Sequence, residues 1–418
     1  GWSDDLAWPV LNANVLGGAL IAWMSLYGSR KLATDKRAQD APLVAAIVLL
    51  GWGLAFWFGT GTLEIFDRAP PSQRAHFMLL FVSLSLAAIA YAGKRFGWIA
   101  YRRVSLALLP ALAIFAVVYL GEHKHFFLGL GTLAWLVALA SHVWVLYCLD
   151  KQARYIERLW HGAGAVLFAL LIAFETWWQL DRVLDNPVWP GTAGLLVLAL
   201  AVAVLLLERK SSRWPFNSLF EGYFFAAISL LALYMLLLIS VCLQNPGDPA
   251  PLAYIPLLNP FDVLSIVGMT LMWFAMQVEN ENPHFVLDKD SRAPQITFLA
   301  VAFLLSTLSV VRMVHHTTGV AWDSAALMNS VGVQSTLSIY WAILGLSGMV
   351  TGTRRASRMT WMIGAVLMIV VVLKLFVIDL GNTGTVARIV SFLGVGVMLL
   401  VVGYFSPVPP RSGKASAE

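Results

Sequence analysis

Charged residues are scarce in this chain: Asp, Glu, Lys and Arg together make up 12% of its 418 residues, whereas 59% are hydrophobic. A soluble domain of this length has no single core large enough to bury so much apolar surface. The shortage of charge therefore excludes an ordinary soluble protein and indicates that lipid surrounds most of the chain. A helix needs roughly 20 apolar residues to span the hydrocarbon layer, because unpaired backbone amides are costly there.

Cysteine is nearly absent as well, since the chain has only Cys148 and Cys242. We expect them in different helices near opposite membrane faces, which excludes a disulfide framework. The chain begins at Gly1, and no basic segment of a signal peptide precedes the first apolar stretch. We therefore expect the numbered chain to begin inside a longer polypeptide.

A continuous basic stripe is also missing, although the formal net charge is +5. The basic residues lie in short loops between apolar runs, so nucleic acid is not an expected partner. The expected partners are membrane lipids, with other envelope proteins as a further candidate. No glycine-rich segment follows a predicted strand as a nucleotide loop does, and we predict no cofactor.

Long apolar runs are what the sequence has in abundance. Thirteen of them approach or reach the length that spans a bilayer. The predicted fold class is therefore all-α: a polytopic transmembrane bundle of about 13 helices. The predicted spans are residues 10–27, 42–62, 75–92, 104–120, 126–148, 160–180, 191–207, 220–243, 258–278, 295–312, 331–351, 359–378 and 387–405.

Lys and Arg are concentrated in every second loop between these runs. Because basic loops are retained in the cytoplasm, this alternation predicts that the N-terminus lies outside and the C-terminus inside. The alternate loops and the C-terminal tail hold 21 of the 28 basic residues, namely Arg30, Lys31, Lys36, Arg37, Lys94, Arg95, Arg102, Arg103, Lys151, Arg154, Arg158, Arg209, Lys210, Arg213, Lys289, Arg292, Arg354, Arg355, Arg358, Arg411 and Lys414.

Short sequence matches between the two ends of the chain indicate an internal duplication. Predicted helices 1–4 and 9–12 pair as two four-helix units, and a separation of eight helices gives both units the same orientation. The repeat is therefore predicted to be parallel, as in many transporters. The matches are Pro9-Val10-Leu11-Asn12 with Pro256-Leu257-Leu258-Asn259, Ala41-Pro42 with Ala293-Pro294, and Arg102-Arg103 with Arg354-Arg355, the last two pairs being 252 residues apart.

This duplication divides the chain into four predicted segments. Each repeat unit holds four helices, and the substrate of such a protein is expected between the repeats. The segments are 1–125 (repeat unit 1), 126–250 (central helices 5–8), 251–380 (repeat unit 2) and 381–418 (last helix and cytoplasmic tail).

The C-terminal end carries the most distinctive stretches. Residues 373–380 read Leu-Lys-Leu-Phe-Val-Ile-Asp-Leu, and residues 387–396 read Ala-Arg-Ile-Val-Ser-Phe-Leu-Gly-Val-Gly. Together with Pro256-Leu257-Leu258-Asn259-Pro260, they resemble a large bacterial family of predicted membrane proteins, the domain of unknown function numbered 2339. The resemblance is most specific over residues 331–405. It implies a multi-pass protein of the bacterial inner membrane, part of a longer member, and it implies no particular reaction.

Ionisable residues inside apolar runs are the candidate site residues, because each needs a partner, a cavity or a nearby interface. Glu175 lies near the end of the sixth predicted helix, before Thr176-Trp177-Trp178-Gln179. It is either a proton-transfer or cation-binding group, or a carboxylate that reaches the interface or a neighbouring helix. Arg312, near the outer end of the tenth predicted helix, is a second candidate.

A second set of charges lies at the last predicted hairpin. Lys374 precedes the outer end of helix 12, and Asp379 and Arg388 flank the turn into helix 13. These side chains either bind an anionic group, such as phosphate or carboxylate, or form an ion-paired cap in which Asp379 satisfies Lys374. The second interpretation needs no substrate and is favoured.

Two further groups receive weaker predictions. His123 and His125 in one outer loop, with His315 and His316 in another, are better explained as interfacial histidines than as metal ligands, because no His-Glu-x-x-His pattern is present; no metal site is predicted. Glu64 and Asp67 are placed in the loop between helices 2 and 3, where they are either an acidic catalytic pair or a solvated turn.

The sequence favours transport or handling of a lipid-linked or small anionic envelope substrate in an outward-facing cavity. A membrane-embedded glycosyl or acyl transferase with outer-face carboxylates is the first alternative, and a non-catalytic membrane scaffold is the second. An enzyme is the less favoured class. Two carboxylates facing one pocket would indicate a transferase.

Overall fold

The computed structural model describes residues 12–34, 41–127, 129–149, 154–281 and 292–375, together with Ile389, Leu393, Gly396, Val397 and Leu400. All regular structure in these residues is helical, and no strand occurs among them. The predicted all-α class is therefore confirmed.

Fourteen α-helices lie in the described residues, and α4 and α12 are short. Twelve of the thirteen predicted spans correspond to them; α4 and α5 together make the fourth, and α12 was not predicted. The thirteenth span lies mostly outside the described residues. The helices are α1 Ala13–Thr34, α2 Ala41–Arg68, α3 Arg74–Phe96, α4 Ile99–Ser105, α5 Leu108–Glu122, α6 Leu130–Leu149, α7 Arg154–Asp181, α8 Val188–Leu207, α9 Phe216–Gln244, α10 Pro260–Glu281, α11 Ala293–Thr318, α12 Ser324–Asn329, α13 Val331–Arg354 and α14 Arg358–Lys374.

Ten stretches of the described chain are long and apolar enough to cross a membrane. Large apolar side chains cover much of their outer surface; Val117 on α5 is 71% exposed and Leu236 on α9 is 67% exposed. Such exposure is expected where lipid rather than water contacts the protein. The chain is thus a multi-pass helical membrane protein, with spans formed by α2, α3, α4 with α5, α6, α7, α8, α9, α10, α11 and α13.

Helix ends follow local sequence signals. Gly97 and Gly319 end α3 and α11 with φ of 70° and 74°, which glycine adopts without strain. Ser330 and Ser357 begin α13 and α14, and each hydroxyl accepts a hydrogen bond from a backbone N–H of the first turn.

The described residues fall into two compact units, the first within residues 1–233 and 277–286 and the second within residues 234–276 and 287–418. The core of the first unit is formed mainly by α3, α5, α6 and α7 around the fully buried rings of Tyr119 and Trp135. In the second unit, α13 and α14 approach closely where Gly345 and Gly352 face Gly364 and Trp361.

The proposed duplication stays a prediction, as do the four predicted segments. Ala41 and Ala293 each begin a helix. Asn12 and Asn259 each precede a helix and accept a hydrogen bond from a backbone N–H at its start, that of Val15 or Phe261. These local similarities do not establish that two four-helix units share one arrangement.

Candidate functional site

A cavity of the second unit lies along α10, α11 and α13. Its volume is about 560 Å³, and most of its wall is apolar. This size falls within the range of pockets that hold a small ligand. The lining residues are Leu257, Asp262, Ser265, Ile266, Met269, Thr270, Trp273, Phe298, Ala302, Leu305, Ser306, Ser309, Val310 and Tyr340.

Asp262 is the one charged residue among those that line the cavity. It lies in the first turn of α10, where the helix dipole favours a carboxylate. Its Oδ1 accepts a hydrogen bond from Nη1 of Arg312 on α11. The two side chains are 2% and 1% exposed, so this is a buried ion pair.

The ion pair leaves polar atoms unsatisfied within the described part of the chain. Asp262 Oδ2 and Arg312 Nε and Nη2 are buried and make no hydrogen bond there. A buried polar atom without a partner costs about 1–3 kcal/mol, and more when the group is charged. The site is therefore built to accept a further hydrogen-bonding group, either water or the polar part of a ligand.

Neighbouring side chains hold the ion pair in place. The Phe261 ring lies 5.4 Å from the Arg312 guanidinium carbon, and the Cys242 thiol is close to the same guanidinium. Asn259 fixes the entry to α10, because its amide donates to the carbonyl oxygen of Gly247 and its Oδ1 accepts from the Phe261 N–H.

The loop before α10 packs against the end of α11. Tyr254 stacks on His316, with ring centroids 4.0 Å apart. Burial raises the pKa of Tyr254, and the nearby Asp262 carboxylate raises it further while Arg312 lowers it. The phenol is therefore uncharged at neutral pH and adds no charge beside the ion pair.

The apolar part of the cavity extends away from Asp262 along α10. Ile266, Met269 and Trp273 lie on one face of this helix at helical spacing. Trp273 follows Asp262 by eleven positions in the helix, a distance of about 16 Å at 1.5 Å per residue. Ile266 and Trp273 are each 54% exposed, so the apolar groove is open along its side. The cavity thus has one buried polar end and a long apolar wall.

Glu175, a predicted site residue, lies in the first unit and serves a local structure. Its Oε2 accepts a 2.7 Å hydrogen bond from the Phe126 N–H, and its Oε1 accepts a 2.6 Å bond from the Gln179 amide. The side chain is buried. It therefore holds the segment between α5 and α6 against α7, which agrees with the interpretation that it reaches a neighbouring element.

Lys374 is buried between α13 and α14. Its Nζ donates to the Gln334 carbonyl oxygen at 3.0 Å and to the Ser338 hydroxyl at 2.8 Å. These contacts fix the helix pair and do not place the ammonium in the 560 Å³ cavity. Asp379 and Arg388 lie outside the described residues, so the charge cluster of the last hairpin stays a prediction.

The placement of Glu64 and Asp67 in a loop was wrong. Both lie in the last two turns of α2, which continues to Arg68 because the first proline of the following segment is Pro70. Glu64 accepts a 2.9 Å hydrogen bond from the Asn12 amide and lies 3.8 Å from the Arg68 guanidinium. Asp67 is exposed. The two residues do not line either described cavity.

The four predicted interfacial histidines divide between the two units. His315 Nδ1 lies 2.6 Å from the Val320 carbonyl oxygen, and His316 Nε2 lies 3.3 Å from that of Pro246. His123 and His125 line a smaller cavity in the first unit. Among the described residues, no group of three or more His, Cys, Asp or Glu side chains is arranged to hold a metal ion.

Arg312 was a predicted site residue, but its partner Asp262 was not. The missed signal is that two lone residues of opposite charge occur in neighbouring apolar runs close to the same predicted membrane face. A single charge in an apolar run requires a partner, and the nearest opposite charge at similar depth is the obvious choice.

Comparison with known protein families identifies a profile that covers nearly the whole chain. The profile of a family described as predicted membrane protein, DUF2339, matches residues 6–409. No curated protein and no solved structure matches the chain.

Proposed function

The chain belongs to the DUF2339 family of predicted membrane proteins, and we propose that it binds and handles an amphipathic phospholipid or lipid-linked molecule in the cavity of its second unit. This proposal rests on one observation. The cavity combines a long apolar wall with a buried ion pair, and three polar atoms of that pair make no hydrogen bond within the described residues. A molecule with an apolar chain and a polar head matches both parts.

The apolar part of the ligand fits the groove beside α10. The side chains of Ile266, Met269 and Trp273 provide a continuous apolar surface, and Phe298 of α11 faces the same cavity. A solvated polar metabolite gains nothing from such a wall, whereas an acyl or prenyl chain gains dispersion contacts with it.

The polar head is selected by the atoms that the ion pair leaves open. Asp262 is the one charged residue among those that line the cavity, and its buried Oδ2 requires a hydrogen-bond donor. Nε and Nη2 of its ion-pair partner Arg312 form the edge of a guanidinium that can bind phosphate or carboxylate in a bidentate manner. A head group with both an N–H or O–H donor and a phosphate satisfies all three atoms.

A membrane transferase receives less support from the described residues. Paired acid-base chemistry needs two carboxylates that face one pocket. Asp262 is the one carboxylate among the residues that line the two described cavities.

Lipid retention tests this proposal. Protein in nanodiscs of mixed phosphatidylethanolamine and phosphatidylcholine is released into the gas phase, and the lipids that remain bound are counted by mass spectrometry. We expect at least threefold enrichment of phosphatidylethanolamine over its share in the disc, because phosphatidylcholine has no N–H to donate to Asp262 Oδ2.

Asp262→Asn should abolish this enrichment, since the amide keeps the shape but replaces the open acceptor by a donor. Asp67→Asn is the matched control, because Asp67 is an exposed carboxylate that is not among the residues lining the cavity. Equal retention of the two lipids by the unmodified protein, or unchanged enrichment in Asp262→Asn, would refute the proposal.

We further propose that the protein lies in the bacterial inner membrane with the N-terminal end of this chain outside and its C-terminal end in the cytoplasm. The alternation of basic loops supports this orientation. In a variant with Cys148 and Cys242 replaced by alanine, an impermeant maleimide added to intact spheroplasts should label Thr318→Cys and leave Arg355→Cys unlabelled. Both positions are exposed at opposite ends of neighbouring spans. Labelling of both at equal rates would contradict the orientation.

A further inference from the structure

A second cavity occurs in the first unit, where the start of α3, the end of α5 and the start of α6 meet. Its volume is about 270 Å³. It lies at helix ends and thus near a predicted membrane surface, which the basic-loop pattern assigns to the outer side. The lining residues are Gln73, His76, Tyr119, His123, His125, Phe126, Gly129 and Leu130.

The histidine rings in this cavity are arranged in stacks. His76 Nδ1 lies 2.6 Å from the Tyr119 hydroxyl, and the His76 and His123 rings stack with centroids 4.7 Å apart. The His125 ring stacks on Trp178 of α7 at 4.3 Å. Stacking fixes the planes of all three imidazoles, so the polar edges of the rings are held in place before a ligand arrives.

Two imidazole nitrogens in this cavity remain open. His123 Nε2 and His125 Nδ1 are buried atoms that make no hydrogen bond within the described part of the chain. The closest carboxylate oxygen to His123 Nε2, that of Glu122, lies at 3.8 Å, which is too long for a hydrogen bond. Each nitrogen therefore needs a ligand or water as its partner.

The segment that carries these histidines is anchored from outside the cavity. Glu175 on α7 accepts the hydrogen bond from the Phe126 N–H, directly after His125. Lys124 and Gly129 have positive φ, 62° and 55°, which turns the chain sharply between α5 and α6. Glu175 is thus a positioning residue for the cavity wall, and this role explains its burial without assigning it any chemistry.

The composition of the lining selects the ligand class. No Lys or Arg is among the described lining residues, and the Glu122 carboxylate lies 3.8 Å from His123 Nε2, so a phosphate group is poorly matched. The face-to-face rings of His76 and His123 direct their nitrogens side by side, and a metal ion requires nitrogens that converge. Neutral imidazole, phenol and amide groups each donate and accept hydrogen bonds, which is what hydroxyl groups require.

We propose that this cavity binds a single sugar residue, either as a free monosaccharide or as the head of a glycolipid. The volume holds roughly nine water-sized groups at about 30 Å³ each, which suits one sugar ring and excludes a lipid chain. The rings of Phe126 and Tyr119 supply apolar faces beside the polar edges. This site lies in the first unit and does not depend on the lipid proposed for the second.

Saturation-transfer NMR tests the proposal with the protein in nanodiscs, prepared without glycoside detergents because these carry a sugar head. The probes are glucose, galactose, mannose and N-acetylglucosamine as free sugars, and a glucosyl lipid incorporated in the disc. We expect saturation transfer to the ring protons of at least one free sugar. We also expect the glucosyl lipid in the disc to compete with that sugar and so to reduce the transfer.

The double variant His123→Phe, His125→Phe should reduce the transfer at least threefold, because phenylalanine keeps both stacks and removes the open nitrogens. His316→Phe is the matched control, a histidine stacked on a tyrosine in the other unit. If the double variant fails to fold by its thermal melting point, Tyr119→Phe, which removes one hydroxyl, takes its place with the same expectation.

Absence of a signal with every sugar probe, or an undiminished signal in the folded variants, would overturn the proposal. So would chemical-shift changes of the histidine side chains with inorganic phosphate and none with sugars. Lipid enrichment through Asp262 is measured separately, so each proposal can fail while the other stands.

Discussion

Replacement of Arg312 by leucine is expected to lower the free energy of unfolding by about 3–5 kcal/mol. The substitution removes the partner of Asp262 and leaves a carboxylate that is 2% exposed without a counter-charge. The loss should appear as reduced resistance to thermal unfolding in detergent, followed by circular dichroism at several denaturant concentrations.

The double variant Asp262→Leu, Arg312→Leu should recover most of this loss, because no buried charge remains to be desolvated. Its lipid selectivity should nevertheless be lost. The double variant therefore separates a role in folding from a role in lipid binding. If the ion pair served folding alone, the double variant would retain the same lipids as the unmodified protein.

Arg158 provides the matched control for this prediction. It forms an ion pair with Glu221 in the first unit, and the two side chains are 35% and 32% exposed. Partial exposure weakens such a pair, and Arg158→Leu should cost at most about 1 kcal/mol. A loss for Arg312→Leu no larger than that for Arg158→Leu would indicate that water reaches Asp262 and that the site is not closed.

The sequence was sufficient to predict the spans, because hydropathy is a property of each separate segment. The thickness of the hydrocarbon layer also requires a similar length of apolar helix from every span. The short helix α12 escaped prediction because six residues leave no hydropathy signal of that length. The predicted end of α2 was also wrong. Charged residues at the end of a helix resemble those of a loop, and the sequence does not show that Glu64 pairs with Asn12.

The candidate sites were only partly predictable, because they depend on contacts between distant helices. Arg312 stood out as a lone charge, yet its pairing with Asp262 is a property of how α10 and α11 pack. His76 carried no signal, since it is far from His123 in sequence, and Tyr119, although only four residues before His123, is ordinary in an apolar helix. Glu175 did stand out in the sequence, as a carboxylate inside an apolar run. The sequence could not show that this carboxylate accepts a hydrogen bond from the backbone N–H of Phe126.

The close approach of α13 and α14 leads to the second large prediction. Lipid tails are as apolar as leucine, so helices in a membrane associate through tight packing between small residues. A methyl group added at Gly364 would lie 2.5 Å from the Gly345 carbonyl oxygen and 2.7 Å from the Met349 nitrogen. These are backbone atoms and cannot move aside unless the helices separate.

Gly364→Ala is therefore expected to lower the free energy of unfolding by about 1–3 kcal/mol, the usual cost of overpacking. Gly51→Ala in α2 is the matched control, because nothing lies within 4 Å of the added methyl group there. That control should be neutral or stabilise by up to about 1 kcal/mol, since alanine favours a helix more than glycine does. The two identical substitutions should thus act with opposite sign in the same unfolding assay. If Gly364→Ala stabilised the protein as Gly51→Ala does, α13 and α14 would have to lie farther apart than these distances require.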